Sequence, residues 1–284
     1  MIKKNMILQE KDGIKYFKFM NLELPGIYAQ GVTTRHSGNS QHPFASLNLG
    51  YFLGDRDKSV AENRQLFERA LRLNNTVMIT ADQIHSNKVS IVTESVRDKN
   101  ISPNGGWEDP RRAVRMTDAL ITRLKNVTLN ISTADCVPIL IYDLKQNVIA
   151  AVHAGWKGTG LEITARTVYQ MMQTFNVKPE NCQVAFGPSI GICCYNIDVK
   201  VIDFFRAKFT YWRDLFSLEK NNQGKLNLEE ANRRQLLSMG IPDRNIVSCE
   251  VCTSCHNDLF FSFRKENGNT GRQMTFIAMG GQGQ

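Results

Sequence analysis

The stretch that most constrains this 284-residue chain is "TADCVPILIYDLKQNVIAAVHAGWKGTG", residues 133–160. "VPILIY" and "VIAAVH" are two apolar, β-branched runs separated by "DLKQN", a polar connection of hairpin length. An antiparallel pair centred near Leu144 and Lys145 sets Cys136 opposite His153, with Cβ atoms about 5 Å apart. A thiolate and an imidazole that close can share one metal ion, with bonds of about 2.3 and 2.0 Å. A one-residue slip of register would separate them onto opposite faces. Without a metal, both are ordinary strand-edge residues, a small buried thiol and a satisfied polar ring.

A third ligand must come from elsewhere, and the chain has only five histidines: His36, His42, His85, His153 and His256. His85 stands in a polar bend ahead of a strand in "ADQIHSNKVSIVTE", while His36 and His42 share a glycine- and serine-rich loop. Two histidines and one cysteine leave a fourth tetrahedral position open, as in catalytic rather than structural zinc sites. Beyond His153, "WKGTGLEITARTV" reads as a tight turn entering a helix, with Thr159 and Glu162 spaced as a capping box. Glycines, free backbone N–H groups and Lys157 there suit an anion, and Trp156 offers a flat face to an aromatic ligand.

The rest of the chain reads as mixed α and β. Helical periodicity marks 59–73, 161–175, 198–209 and 227–240, the last ending on glycine. Strands are expected at "VSIVTE", "VTLNIS", "VPILIYD", "VIAAVH" and "CQVAFG". Polar segments 98–112 and 219–227 read as exposed loops rather than boundaries, so 1–284 is expected to be one α+β domain. A net charge of +8 has no dense basic block behind it, which favours a small anionic ligand over a nucleic-acid track. No apolar run reaches membrane-spanning length, and seven cysteines without an export signal point to a reducing cytoplasm. Nothing in the sequence sets an oligomeric state.

"CEVCTSCHND" gathers Cys249, Cys252, Cys255 and His256, but a zinc knot needs two separated pairs and this cluster lacks its mate. These are expected to be reduced cysteines on a strand and the loop after it. The adjacent Cys193 and Cys194 are not expected to form a structural disulfide in that compartment.

In order along the chain stand "TTRHSGNS", "PFASLNLG", "GDRDKSVAENR", "QIHSNKV", "TDALIT", "TADCVPILIYD", "AVHAGWKGT", "GPSIGICCYNI" and "LFFSFRKENGNTGR". Over about residues 25–280 this resembles the YlmD/YfiH family, the laccase-domain group often labelled polyphenol oxidase. "HSGNS" stands where relatives commonly carry two glycines.

The resemblance implies layered mixed β-sheets flanked by helices, a four-layer fold similar to cysteine-hydrolase-like folds. It also implies zinc on His85, Cys136 and His153, with phosphorolysis of adenosine, inosine, guanosine and methylthioadenosine plus deamination of adenosine. On chemical grounds Arg35, Lys157 and the amides near Gly158 are candidates to hold phosphate. Asn48 is a candidate for a ribose hydroxyl or ring nitrogen. Asp135 is a candidate acid, although a strand neighbour of Cys136 should face away and could instead orient a ligand.

Three other readings compete. Copper polyphenol oxidation needs many imidazoles in His-X-His pairs, and no such pair occurs. A cysteine hydrolase would use Cys136 as nucleophile and His153 as base. A non-catalytic zinc module would bind nucleosides without turnover.

Overall fold

A computed structural model describes residues 5–73, 76–99, 113–218 and 223–280. Two six-stranded mixed sheets carry the fold. The first runs β1 (Met6–Lys11), β2 (Ile14–Phe19), β3 (Ile27–Thr33), β15 (Gln273–Met279), β7 (Val127–Thr133) and β4 (Val77–Thr80). The second runs β14 (Ile246–Ser248), β10 (Cys182–Phe186), β8 (Val137–Asp143), β9 (Val148–Ala154), β6 (Ala119–Thr122) and β5 (Val89–Ile91). A small third sheet joins β11 (Asn196–Ile197), β13 (Gly224–Leu226) and β12 (Phe216–Leu218).

Side-chain alternation explains how the layers stack, because successive strand residues face opposite sides. Leu140 and Tyr142 of β8, with Ile149 and Ala151 of β9, meet Leu129 and Ile131 of β7 and Ile277 of β15 in the layer between the two sheets. Their neighbours Ile139, Ile141, Ala150 and Val152 face outward, against helices α4 (Ile163–Phe175), α5 (Val199–Lys208) and α6 (Leu228–Ser238). On the far side, Met274 and Phe276 pack on Phe67 and Ala70 of α1 (Asp57–Ala70). The order is helix, sheet, sheet, helix. Two short helices, α2 (Glu94–Lys99) and α3 (Trp156–Gly160), follow β5 and β9.

The hairpin differs from its expected register. His153 pairs with Pro138 and Ala154 with Val137, so the turn is centred one residue later, between Lys145 and Gln146. Asp143 fixes it there: its Oδ1 accepts hydrogen bonds from the backbone of Lys145 and Gln146 at 2.7 and 2.6 Å. The pairing therefore shifts by two residues, and an even shift keeps every side chain on its expected face. Cys136 falls diagonal to His153 rather than opposite it.

The capping box is also not formed. Glu162 sits in the left-handed region (φ +61) and separates α3 from α4, with no side-chain cap. Thr159 is buried against α6 instead, its Oγ1 accepting from Asn232 Nδ2 at 2.9 Å and its carbonyl from Gln235 Nε2 at 2.8 Å. Of the expected loops, most of 98–112 and residues 219–222 lie outside the described residues, while Gly224–Leu226 pairs as β13. Among the described residues no helix is long and apolar enough to cross a membrane.

Leu140 is wholly buried in the layer between the sheets. Leu140→Ala should lower unfolding free energy by about 2–5 kcal/mol in urea titrations. A loss below about 1 kcal/mol would mean that the sheets are not held together by that layer.

Candidate metal centre and the cavity above it

The odd residues of β9 face the layer between the sheets, so His153, near the end of the strand, emerges at its rim. Cys136, just ahead of β8, shares that face. Between them Gly155 lies beside the sulfur, and a Cβ there would stand 3.0 Å from Cys136 Sγ and 2.9 Å from His85 Cδ2. Only glycine lets the thiol and the second imidazole close over the backbone at this point.

His85 reaches the same place from the loop after β4, in a left-handed conformation (φ +59). Its ring meets that of His153 edge to face, with centroids 4.8 Å apart, and its Nε2 lies 3.9 Å from Cys136 Sγ. The three candidate ligand atoms all fall within 4.8 Å of one another. One zinc ion with bonds of about 2.0 and 2.3 Å would set a nitrogen and a sulfur about 3.6 Å apart. The donor set fits such an ion.

Asp118 organises the two histidines. It is wholly buried at the start of β6. Its Oδ1 accepts from the backbone N–H of His85 at 2.9 Å and lies 2.8 Å from His153 Nδ1. Its Oδ2 accepts from the backbone N–H and hydroxyl of Ser86, both at 2.7 Å. A proton held on Nδ1 leaves the Nε2 lone pair of His153 free for a metal. Burial pushes the Asp118 carboxyl up, but the bonds from His153 and Ser86 outweigh it and hold the group below the usual range. Burial likewise opposes charge on Cys136, yet His153 and His85 bring its thiol down to about 6. Against the same burial, the Cys136 thiolate and Asp118 raise His153. Without metal these opposed shifts favour a thiolate facing an imidazolium.

Above this centre opens a cavity of about 850 Å³. Its wall combines aromatic faces, among them Tyr51, Phe52, Trp156, Tyr195 and Phe263, with the arginines Arg64, Arg115, Arg264 and Arg272. Phe52 is 79 % exposed and Phe263 50 %, so both rings stand at the rim without full cover. Arg272 is held by the carbonyls of Thr270 and Gly271 at 3.1 and 2.9 Å. Burial lowers its pKa while the charges of Cys136 and Asp135 draw it up, which places its guanidinium in the field of the centre. Burial also raises the Tyr195 phenol, with the Cys136 thiolate adding to it.

Of the residues expected at the substrate, Trp156 and Asp135 line this cavity, whereas Lys157, Gly158, Arg35 and Asn48 do not. Lys157 is exposed, with its ammonium 5.5 Å from the Trp156 ring centroid. Gly158 packs on the Ser86 carbonyl, 2.9 Å from where a Cβ would sit. Arg35 is engaged elsewhere, donating to the carbonyls of Ala45 and Asn257 at 3.0 and 2.8 Å and to Glu266 at 3.0 Å. Asn48 is buried scaffolding: its Oδ1 accepts from the backbone of Gly50 and Arg272, two residues of the cavity wall, at 3.0 and 2.9 Å. Asp135 adopts φ +94, and its carboxylate accepts from Thr253 Oγ1 and the Arg264 backbone, both at 2.6 Å. Sequence reasoning passed over Asp118, Tyr195 and the four arginines. All but Arg115 stand in the motifs quoted above, yet no local spacing distinguishes them from surface charge.

A family model described as "Multi-copper polyphenol oxidoreductase laccase" matches residues 29–280. Over 252 residues the chain is 37 % identical to the purine nucleoside phosphorylase YlmD of Geobacillus stearothermophilus, covering 87 % of this chain and 88 % of that protein. It is 30 % identical over 246 residues to adenosine deaminase RL5 from an unknown prokaryotic organism, covering 86 % and 91 %. The crystal structure of YlmD from Geobacillus stearothermophilus superposes with a TM-score of 0.87 at 34 % identity, covering 97 % of this chain and all 100 % of that one.

Asp118→Asn keeps the volume but cannot accept from all four donors. Zinc affinity, measured by chelator competition, should fall about 10–100-fold; an unchanged affinity would remove Asp118 from its organising role. After metal removal, alkylation of Cys136 followed by peptide mapping should persist as pH falls to about 6, because a depressed pKa keeps the thiolate at lower pH. An ordinary thiol loses reactivity below about 8.5, and that behaviour would contradict the pairing with His153.

Proposed function

The chain belongs to the laccase-domain family that includes YlmD and YfiH, and on that premise we propose a zinc-dependent enzyme of purine nucleosides. It phosphorolyses adenosine, inosine, guanosine and methylthioadenosine to free base and ribose 1-phosphate, and deaminates adenosine. One catalytic domain over 1–284 carries both reactions, and the seven free cysteines suit a cytoplasmic protein.

The observation that carries the reading is the convergence of two imidazoles and one thiolate beneath a cavity walled by aromatic rings and arginines. Its volume, about 850 Å³, is that of a small-molecule site. His85, Cys136 and His153 would hold the zinc, which supplies Lewis-acid polarisation at the cavity floor. The rings of Phe52, Trp156 and Phe263 offer faces on which a purine can stack. Arg64, Arg264 and Arg272 supply the positive charge that phosphate needs, the role expected of Arg35 and Lys157. Arg64 is buried, Arg272 half-buried and Arg264 exposed; the more a guanidinium is shielded from water, the less its attraction for phosphate is screened.

A departing purine leaves poorly as an anion and needs a proton or a strong hydrogen bond. Tyr195, whose phenol burial keeps protonated, is the donor that faces the cavity. Asp135 acts by position: it holds Thr253 and Arg264 in place beside Cys136.

The same geometry disfavours oxidation by several coppers. Among the described residues two groups can hold a metal, and only one of them contains histidine. His36, His42 and His256 join neither.

The test is adenosine turnover by the purified, metal-analysed protein, with and without phosphate, resolved for adenine, inosine and hypoxanthine. Adenine release should require phosphate, inosine should form without it, and Cys136→Ala should lower both at least about 100-fold. Turnover untouched by that substitution, or no turnover of any purine nucleoside, would overturn the proposal. Copper-dependent oxidation of phenols with no need for phosphate would replace it.

A further inference from the structure

The cysteines left aside by the catalytic centre form a second cluster. Cys252 and Cys255 find the mate that the sequence did not show: the adjacent Cys193 and Cys194, about sixty residues upstream. The four sulfurs all lie within 4.8 Å of one another. Cys255 Sγ stands 3.6 Å from Cys193 Sγ and 3.4 Å from Cys194 Sγ, and all four thiols are free. Cys249 is buried in the layer between the sheets and His256 stands outside the group.

We propose that Cys193, Cys194, Cys252 and Cys255 bind one zinc ion in a closed, structural tetrathiolate site distinct from the catalytic centre. Four thiolates are the soft donor set that selects zinc, and four protein ligands leave no open position for chemistry. Zinc–sulfur bonds of about 2.3 Å on a tetrahedron set the sulfurs about 3.8 Å apart. The separations of 3.4 and 3.6 Å fall a few tenths of an ångström short of that edge, and all four sulfurs lie within 4.8 Å. Sulfurs this close suit one ion rather than a polynuclear iron–sulfur cluster, whose cysteines sit on separate irons.

Two features independent of the sulfur distances support the site. The backbone N–H of Gly191 donates to Cys252 Sγ at 3.2 Å, the kind of bond that steadies a metal-bound thiolate. A Cβ at Gly191 would stand 3.2 Å from Cys252 Cβ and 3.3 Å from Cys193 Sγ, so the backbone is bare where the sulfurs approach. The two loops are also in register without the ion: Ser189 bridges Cys252, and the Thr253 N–H donates to the Ser189 carbonyl at 3.0 Å. Cys193 and Cys255 are exposed, which gives an ion a path in.

The site clamps a wall of the catalytic cavity. Ile190 and Tyr195, on either side of the vicinal cysteines, line that cavity. The Ile190 N–H donates to the Asp135 carbonyl at 2.8 Å, and Thr253, next to Cys252, donates to the Asp135 carboxylate. One ion would therefore fix both loops that grip the residue preceding Cys136, doing in a reducing compartment what a disulfide does elsewhere.

The count of zinc per chain tests this independently of any turnover. Wild-type protein purified without chelator should carry about two zinc ions by elemental analysis. Cys136→Ala should keep one, with an all-sulfur shell by X-ray absorption. Cys255→Ser should keep one, with two nitrogens and a single sulfur. If Cys255→Ser does not fold, the wild-type count and the shell of the zinc kept by Cys136→Ala decide alone. One zinc per wild-type chain with nitrogen in its shell, a nitrogen-bearing shell in Cys136→Ala, iron in place of zinc, or disulfides among these four cysteines in peptide maps would each overturn the proposal.

Discussion

The carboxylate of Asp118 is the constraint on which the centre depends. A buried carboxylate must be satisfied, and this one is satisfied only when three chain segments meet: the His85–Ser86 loop, the start of β6 and the end of β9. The His153 backbone N–H also donates to the Asp118 carbonyl at 2.7 Å, so main chain and side chain hold the same partner. Removing one partner would leave polar groups buried and unpaired, which is costly where water cannot replace the bond. The fold thus supplies the metal site as a by-product of closing its own hydrogen bonds.

Placement follows from parity. Strand alternation sends every second residue of β8 and β9 into the layer between the sheets, and at the rim that layer ends in Cys136 and His153 instead of leucines. The sequence identifies this face correctly although the register moves by two, because an even shift preserves faces. Asp143, capping the turn, decides the register; its effect is local but is invisible to a count of hairpin residues.

Periodic helices and the β8–β9 hairpin were legible, with boundaries within a few residues. Of the first sheet only β7, expected as "VTLNIS", was legible. The sheet's centre is β15, paired between β3 and β7 from opposite parts of the chain, and only tertiary structure makes "QMTFIAM" a strand buried on both sides. The β1–β2 hairpin was not expected: it turns at Asp12–Gly13, where both residues take positive φ, and its charged outer face masks the alternation. At the site the ligands could be reached by spacing and resemblance. Asp118, Tyr195 and the arginines could not, since a charge beside a strand carries no sign of which cavity it will enter. The same limit hid the pairing of Cys193 and Cys194 with Cys252 and Cys255. Arg35 and Asn48 show the converse: conspicuous polar residues in a loop, and both occupied in holding it.

The proposed function requires one ion on His85, Cys136 and His153. Anomalous diffraction across the zinc absorption edge, from crystals of protein purified without added metal, tests this. A zinc peak should stand within bonding distance of both imidazoles and the Cys136 sulfur. Ordered side chains at that point with no anomalous peak, or a copper peak in its place, would contradict it.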